Sequence, residues 1–141
     1  EGWDGMELRR GCAVIAPGGG RHMRVTGGGT KFRVALVEGP AVDGHTPSVT
    51  ELFRSIVEVA GRSAALGLMT GMGKDGASGL LVARRAGAFT ITQSESTCVV
   101  YGMPRVAVEL GASMAAVALD DIPERLLGRP RPQSDGVVRA S

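Results

Sequence analysis

The sequence predicts an α/β fold: an open, mostly parallel sheet with helices on both faces, plus an antiparallel β-hairpin in the first third. Three observations support this prediction. Strand-like apolar runs separated by glycine clusters fill residues 12–39, a helical periodicity begins at Pro47, and strand-like and helix-like segments alternate from Ala64 onward. Such alternation with short connections is typical of parallel strands joined by right-handed crossovers.

In the first third, residues 12–17 and 31–39 are predicted to be strands joined through the glycine clusters at 18–20 and 27–29. Glycines mark turns because they adopt positive φ without steric cost. His22 lies between the two clusters and is therefore expected in the turn region of the hairpin.

The segment after Pro47 has helical periodicity, and its polar residues are expected to face water. The predicted apolar face consists of Val49, Leu52, Phe53, Ile56, Val57 and Ala60.

The alternating part predicts strands at 64–70, 88–93 and 115–120, helices at about 75–86 and 103–111, and a last short helix after residue 120. Past Gly128 the composition turns to Arg, Pro, Ser and Gly. Such segments bury too little apolar surface to fold. Residues 1–128 are therefore predicted to form one domain, and residues 129–141 a disordered tail.

Composition excludes several function classes. The net charge is +2 and aromatic residues make up 4%, so neither a phosphate-binding stripe nor a base-stacking platform is expected, and no nucleic-acid partner. No apolar run approaches the roughly 20 residues that cross a bilayer, so no membrane insertion is expected. Cys12 and Cys98 lie in separate apolar stretches, which predicts buried thiols in a reducing compartment and thus a cytoplasmic protein.

Residues 71–76, GMGKDG, match the pattern G-x-G-x-x-G between a predicted strand and a predicted helix. In an open parallel sheet, chemistry collects beyond the carboxyl ends of strands. Three interpretations fit: Asp75 caps a helix, Asp75 is a catalytic carboxylate, or the loop binds a dinucleotide with Glu95 at the expected distance. A carboxylate at the start of a helix opposes a bound pyrophosphate, but the loop by itself leaves all three open.

Other chemical groups are few. His22 and His45 have no partner by spacing, and no H-E-x-x-H, C-x-x-C or carboxylate cluster predicts a metal site. No G-x-S-x-G turn is present, so the chain does not encode a self-contained serine hydrolase. Neither a metal nor a cofactor is predicted.

Four segments in order, at residues 16–23, 44–55, 68–80 and 92–112, closely resemble the catalytic domain of the CheB family of chemotaxis protein-glutamate methylesterases. The resemblance implies a serine-type esterase that acts on the cytoplasmic helices of methyl-accepting chemoreceptors and that in some members deamidates glutamines. It also implies that Asp75 is the triad acid and that a backbone N–H near Met72 is an oxyanion donor.

The chain departs from this family in several places. The family's serine and histidine precede the segment that corresponds to residues 16–23, and neither has a counterpart here; a regulatory receiver domain is likewise absent from this sequence. Thr46 and Thr50 stand where the family commonly has Arg and Asp. The chain is therefore interpreted as the C-terminal two-thirds of a methylesterase catalytic domain, monomeric and inactive by itself. The alternatives are a Rossmann-type nucleotide-binding module and a non-catalytic receptor-binding relative.

Overall fold

The computed structural model describes residues 1–128, and the predicted tail at 129–141 lies outside this range. The first sheet is antiparallel, with the strand order β1-β3-β2. Its strands are β1 (Glu7–Leu8), β2 (Arg21–Gly28) and β3 (Lys31–Glu38). β2 and β3 form the predicted hairpin, paired from Arg21 with Glu38 to Gly28 with Lys31.

The first strand of the hairpin was wrongly placed from sequence. Within the described part of the chain, residues 12–17 form no strand, and Ile15 is 71% exposed. The hairpin uses residues 21–28 instead, because they lie directly across the tight connection from β3, whose other edge pairs with β1. His22 therefore lies within β2, and not in a turn.

Helix α1 (Val49–Ala60) shows the predicted apolar face: Phe53 is buried, and the other five members pack against the same core. Two polar residues of α1, Thr50 and Ser55, are fully buried, which contradicts the expectation that they face water. Ser55 Oγ accepts a hydrogen bond of 2.9 Å from the Val25 N–H of β2 and donates one to the Leu52 carbonyl. Helix α1 thus packs against the hairpin on one side and the α/β core on the other.

The second sheet is parallel, in the order β4-β5-β6, and its predicted elements are present but shorter. They are β4 (Ala65–Leu68), α2 (Ala77–Arg85), β5 (Phe89–Gln93), α3 (Met103–Glu109), β6 (Ala115–Val117) and α4 (Ile122–Leu127).

Helices cover both faces of the parallel sheet, which confirms the predicted architecture. On one face, Leu66 and Leu68 share a core with Leu80 of α2 and Ala107 of α3. On the other face, Ile91, Val117 and Ile122 of α4 form a second cluster. Because β4 and β5 are parallel, their carboxyl ends meet at one edge of this sheet.

The prediction of buried thiols is wrong for Cys12, which is exposed, whereas Cys98 is partly buried. Burial raises the pKa of the Cys98 thiol. Among the helices of residues 1–128, none is both long and apolar enough to cross a bilayer.

Candidate active site

Asp75 lies in the loop that follows β4, immediately before the left-handed Gly76 that precedes α2. The residue is only 3% exposed. Its carboxylate does not cap α2, the helix that follows it in sequence; it lies against the N-terminus of α1. The helix expected from about residue 75 is present and begins at Ala77, so Asp75 precedes α2 and does not lie at its start as the sequence predicted.

Three donors at the start of α1 hold this carboxylate. Oδ1 accepts the Ser48 hydroxyl at 2.6 Å and the Thr50 N–H at 3.1 Å, and Oδ2 accepts the Val49 N–H at 2.8 Å. The first N–H groups of a helix lack partners within the helix and carry partial positive charge. Asp75 therefore satisfies two of these groups across a separation of about 25 residues in sequence.

The hydrogen-bond donors around Asp75 determine its protonation state. Burial by itself would raise the pKa of this carboxyl, but the hydrogen bonds from Ser48, Val49 and Thr50 outweigh burial and hold the pKa below its ordinary value. Asp75 is consequently ionised at neutral pH.

The Asp75 carboxylate has one acceptor position that the described chain does not fill. An ionised carboxylate has about four acceptor positions on its two oxygens. Two positions on Oδ1 and one on Oδ2 are filled by residues of the described chain, so one position on Oδ2 stays open. The hydrogen bond to Oδ2 is part-buried, whereas the two hydrogen bonds to Oδ1 are buried.

Thr50 ties the loop after Asp75 to α1. Its hydroxyl accepts the Gly76 N–H at 2.8 Å and donates to Asp43 Oδ2 at 3.0 Å. Asp43 in turn lies 3.8 Å from the exposed Lys74 ammonium. The residues on both sides of Asp75 therefore have contacts of their own, Gly76 with Thr50 and Lys74 with Asp43.

Sequence reasoning missed Ser48 and Thr50 as parts of this site. A signal was present, because residues 48–51 spell S-V-T-E, the S-x-x-E pattern of a capping box. The Ser48 hydroxyl does accept the Glu51 N–H at 3.4 Å. The pattern locates the start of α1, but it does not show that a distant carboxylate joins the cap.

The glycines of the G-x-G-x-x-G pattern serve packing and turns. A side chain at position 71 would collide with the Met103 side chain, and one at position 76 would approach Leu68 and Val49 within 2.8 Å. Gly73 and Gly76 have φ values of 92° and 86°. The Gly76 N–H, which a pyrophosphate would need, is already bonded to Thr50. This local structure does not favour a dinucleotide site.

Met72 lies in the same loop, and the residue is 81% exposed. The preceding residue is fixed on both sides: the Gly71 N–H donates to the Val100 carbonyl and the Gly71 carbonyl accepts from the Met103 N–H. Within residues 1–128, the Met72 N–H has no hydrogen-bond partner. A held loop with an unused N–H is compatible with binding an oxyanion.

Within residues 1–128, neither histidine forms a hydrogen bond to Asp75. His22 is 3% exposed; its Nδ1 accepts the Ser48 N–H at 3.2 Å, so its proton lies on Nε2, which faces the Pro40 carbonyl at 2.9 Å. His45 is exposed and contacts the Asp43 carbonyl. No group of three or more potential metal ligands occurs within residues 1–128.

These features define an α/β domain with a buried, ionised carboxylate at the carboxyl edge of a parallel sheet. The family model for CheB methylesterase matches residues 1–126. The chain belongs to the CheB methylesterase family.

Similar proteins agree with this membership. A protein-glutamate methylesterase/protein-glutamine glutaminase of Rhizobium etli is 49% identical over 136 residues, which cover 96% of this chain and 39% of the relative. A second such protein, from Pseudomonas aeruginosa, is 46% identical over 136 residues, with the same coverage. The chain thus spans well under half the length of these relatives.

The crystal structure of the Thermotoga maritima CheB methylesterase catalytic domain superposes with a TM-score of 0.85 at 30% identity. The match covers 89% of this chain and 66% of that domain. The likeness confirms the fold and the resemblance recognised in the sequence.

Proposed function

We propose that this chain is the C-terminal two-thirds of a protein-glutamate methylesterase catalytic domain and that Asp75 is the acid of a serine-type triad. The observation that carries the proposal is the Asp75 carboxylate: buried, ionised, held by three donors, and left with one acceptor position on Oδ2. A triad acid needs these properties, because it must accept one imidazole N–H and remain charged.

The serine and the histidine of the triad come from a part of the protein outside this chain. The histidine donates its Nδ1–H to Asp75 Oδ2, which fixes the tautomer in which Nε2 takes the serine proton. The serine oxygen then attacks the glutamyl ester carbonyl, and methanol leaves with the proton returned by the histidine. Water hydrolyses the acyl-enzyme by the same route, and Asp75 stabilises the imidazolium in both steps.

The Met72 N–H is proposed as an oxyanion donor. It is unbonded within residues 1–128 and lies in the same loop as Asp75. The tetrahedral intermediate places negative charge on the former carbonyl oxygen, and one positioned donor of this kind contributes roughly 10²–10³ in rate.

The proposed reactions follow from the names of the relatives, whereas the proposed receptor substrates and location follow from the resemblance of the sequence to the CheB family. Both are named for glutamate methylesterase and glutamine glutaminase activity. The proposed substrates are glutamyl methyl esters, and also glutamine amides, on the cytoplasmic helices of methyl-accepting chemoreceptors. The protein is accordingly proposed to act in the cytoplasm, as a monomer, with a receiver domain as a further regulatory partner.

The test uses the complete catalytic domain, meaning this chain together with the part that carries the serine and histidine. Asp75→Asn should lower kcat about 10⁴-fold on methylated receptor, because the amide favours the wrong histidine tautomer. Asp121→Asn, on an exposed turn before α4, is the matched control and should leave kcat unchanged. The 141-residue chain alone should release no methanol.

Two results would contradict the proposal. If Asp75→Asn retains more than a tenth of the wild-type kcat, the carboxylate is structural only. If the 141-residue chain hydrolyses receptor esters, the nucleophile lies within it and the assignment of the triad is wrong.

A further inference from the structure

Ser48 makes hydrogen bonds both within and outside α1. As an N-cap residue, a serine accepts a hydrogen bond from an N–H in the first turn of its own helix. Here the hydroxyl oxygen accepts the Glu51 N–H, while its proton goes to Asp75 Oδ1 at 2.6 Å, the shortest of the three bonds to that carboxylate. Ser48 is 2% exposed, so water does not compete for this proton.

The backbone of Ser48 is fixed as well. Its N–H donates to Nδ1 of the buried His22 in β2, and the ring is held on its other side by the Pro40 carbonyl. A chain of hydrogen bonds therefore runs from the hairpin through Ser48 to Asp75. The hairpin, which carries no reacting group in the proposed mechanism, thus supports the candidate triad acid.

The direction of these bonds determines which oxygen of Asp75 is free. Ser48 and Thr50 both donate to Oδ1 and fill its two acceptor positions. Val49 fills one position on Oδ2. If the Ser48 donor were lost, a position on Oδ1 would open, and an incoming imidazole N–H could bond to either oxygen in different orientations.

We propose that Ser48 is a positioning residue: by occupying Oδ1 it directs the imidazole of the triad to Oδ2 of Asp75 and fixes the ring orientation. This inference rests on the proposed function of Asp75. Ser48 does not touch the substrate, and its effect on the reaction passes through the carboxylate.

The first measurement is kinetic and uses the complete catalytic domain. Ser48→Ala should lower kcat roughly 10- to 100-fold, the effect of one charge-assisted hydrogen bond, with KM unchanged. Ser55→Ala is the matched control, since it removes another buried hydroxyl of α1 that contacts β2 and not Asp75. It should keep kcat within about twofold of the wild type.

The second measurement is spectroscopic and uses the 141-residue chain. The ¹³C resonance of the Asp75 carboxyl, assigned by its loss in Asp75→Asn, should titrate at higher pH in Ser48→Ala and at the wild-type pH in Ser55→Ala. Other titratable groups near the site are His22, behind Ser48, and Glu51, which pairs with Arg24 and Arg54. Asp43 and Lys74, which contact each other, lie near Thr50. Neither variant alters these groups.

Ser48→Gly gives a second variant should Ser48→Ala fold poorly, because glycine at a helix N-cap costs only a few tenths of a kcal/mol. The inference is overturned if kcat of the Ser48 variants equals that of Ser55→Ala, or if the Asp75 titration does not move. If instead Asp75→Asn itself leaves kcat unchanged, the proposed function fails, which is a separate result.

Discussion

The N-termini of α1 and α2 lie on either side of Asp75 and are completed in opposite ways. Helix α1 uses a serine cap and a carboxylate from another loop. Helix α2 begins after a left-handed glycine with no side-chain cap, and its Gly76 N–H is satisfied by Thr50 of α1. The two helix starts therefore form one unit: Asp75, in the loop before α2, accepts hydrogen bonds from the N-terminus of α1, and the Thr50 hydroxyl of α1 accepts the Gly76 N–H.

Removal of the anion should have the largest effect on stability. Asp75→Ala leaves the Ser48 hydroxyl and two N–H groups of α1 without their acceptor. Each unsatisfied buried donor costs about 1–3 kcal/mol, so the free energy of unfolding should fall by about 3 kcal/mol in urea titrations. Asp121→Ala, on the exposed turn before α4, should change it by less than about 0.5 kcal/mol. If the free energy of unfolding falls no more for Asp75→Ala than for Asp121→Ala, water replaces the carboxylate as the hydrogen-bond acceptor.

The stability of the protein should depend on the size of the side chain at the start of α2. Gly76→Ala adds a β-carbon at a positive φ and within 2.8 Å of Leu68 and Val49, so it should cost about 2 kcal/mol. Gly73→Ala shares the positive φ but has no atom within 4 Å of the added carbon, and should cost only about 1 kcal/mol. If thermal unfolding shows equal decreases in stability for Gly76→Ala and Gly73→Ala, the close packing around Gly76 does not contribute to the difference.

Protonation of Asp75 at low pH should remove part of the stability that is lost when Asp75 is replaced. The pKa of Asp75 is lowered in the folded state, so its stabilising charge is fully present above the ordinary value of 3.8 and is lost as pH falls through the lower folded value. The stability difference between wild type and Asp75→Asn should therefore be constant near neutral pH and narrow below about pH 4. A difference that does not narrow would show that the charge of Asp75 does not contribute.

The sequence predicted the elements that depend on local periodicity. Val49, Leu52 and Phe53 follow the helical repeat that buries α1, and the alternation of strands and helices after Ala64 produced the parallel sheet. The resemblance to the CheB family singled out Asp75, which the glycine pattern alone left between capping, catalysis and nucleotide binding.

What the sequence did not predict depends on contacts between distant segments. Nothing near Asp75 in sequence shows that its carboxylate reaches α1, because its partners lie 25 to 27 residues earlier. The burial of His22 depends on Ser48 and Pro40, and the burial of Ser55 depends on β2. Residues 12–17 have an apolar strand-like composition, but β3, the strand predicted to pair with them, is paired with β1 and β2 on its two edges.

The close approach between the loop after β4 and the start of α3 limits how this loop could be engineered. Gly71 makes room for Met103, and a side chain at position 102 would lie 2.6 Å from the Gly71 carbonyl oxygen. A loop grafted into another scaffold without this glycine pair and the methionine opposite would not keep its shape. Transplantation should therefore move residues 69–76 together with the beginning of α3, as a single cassette.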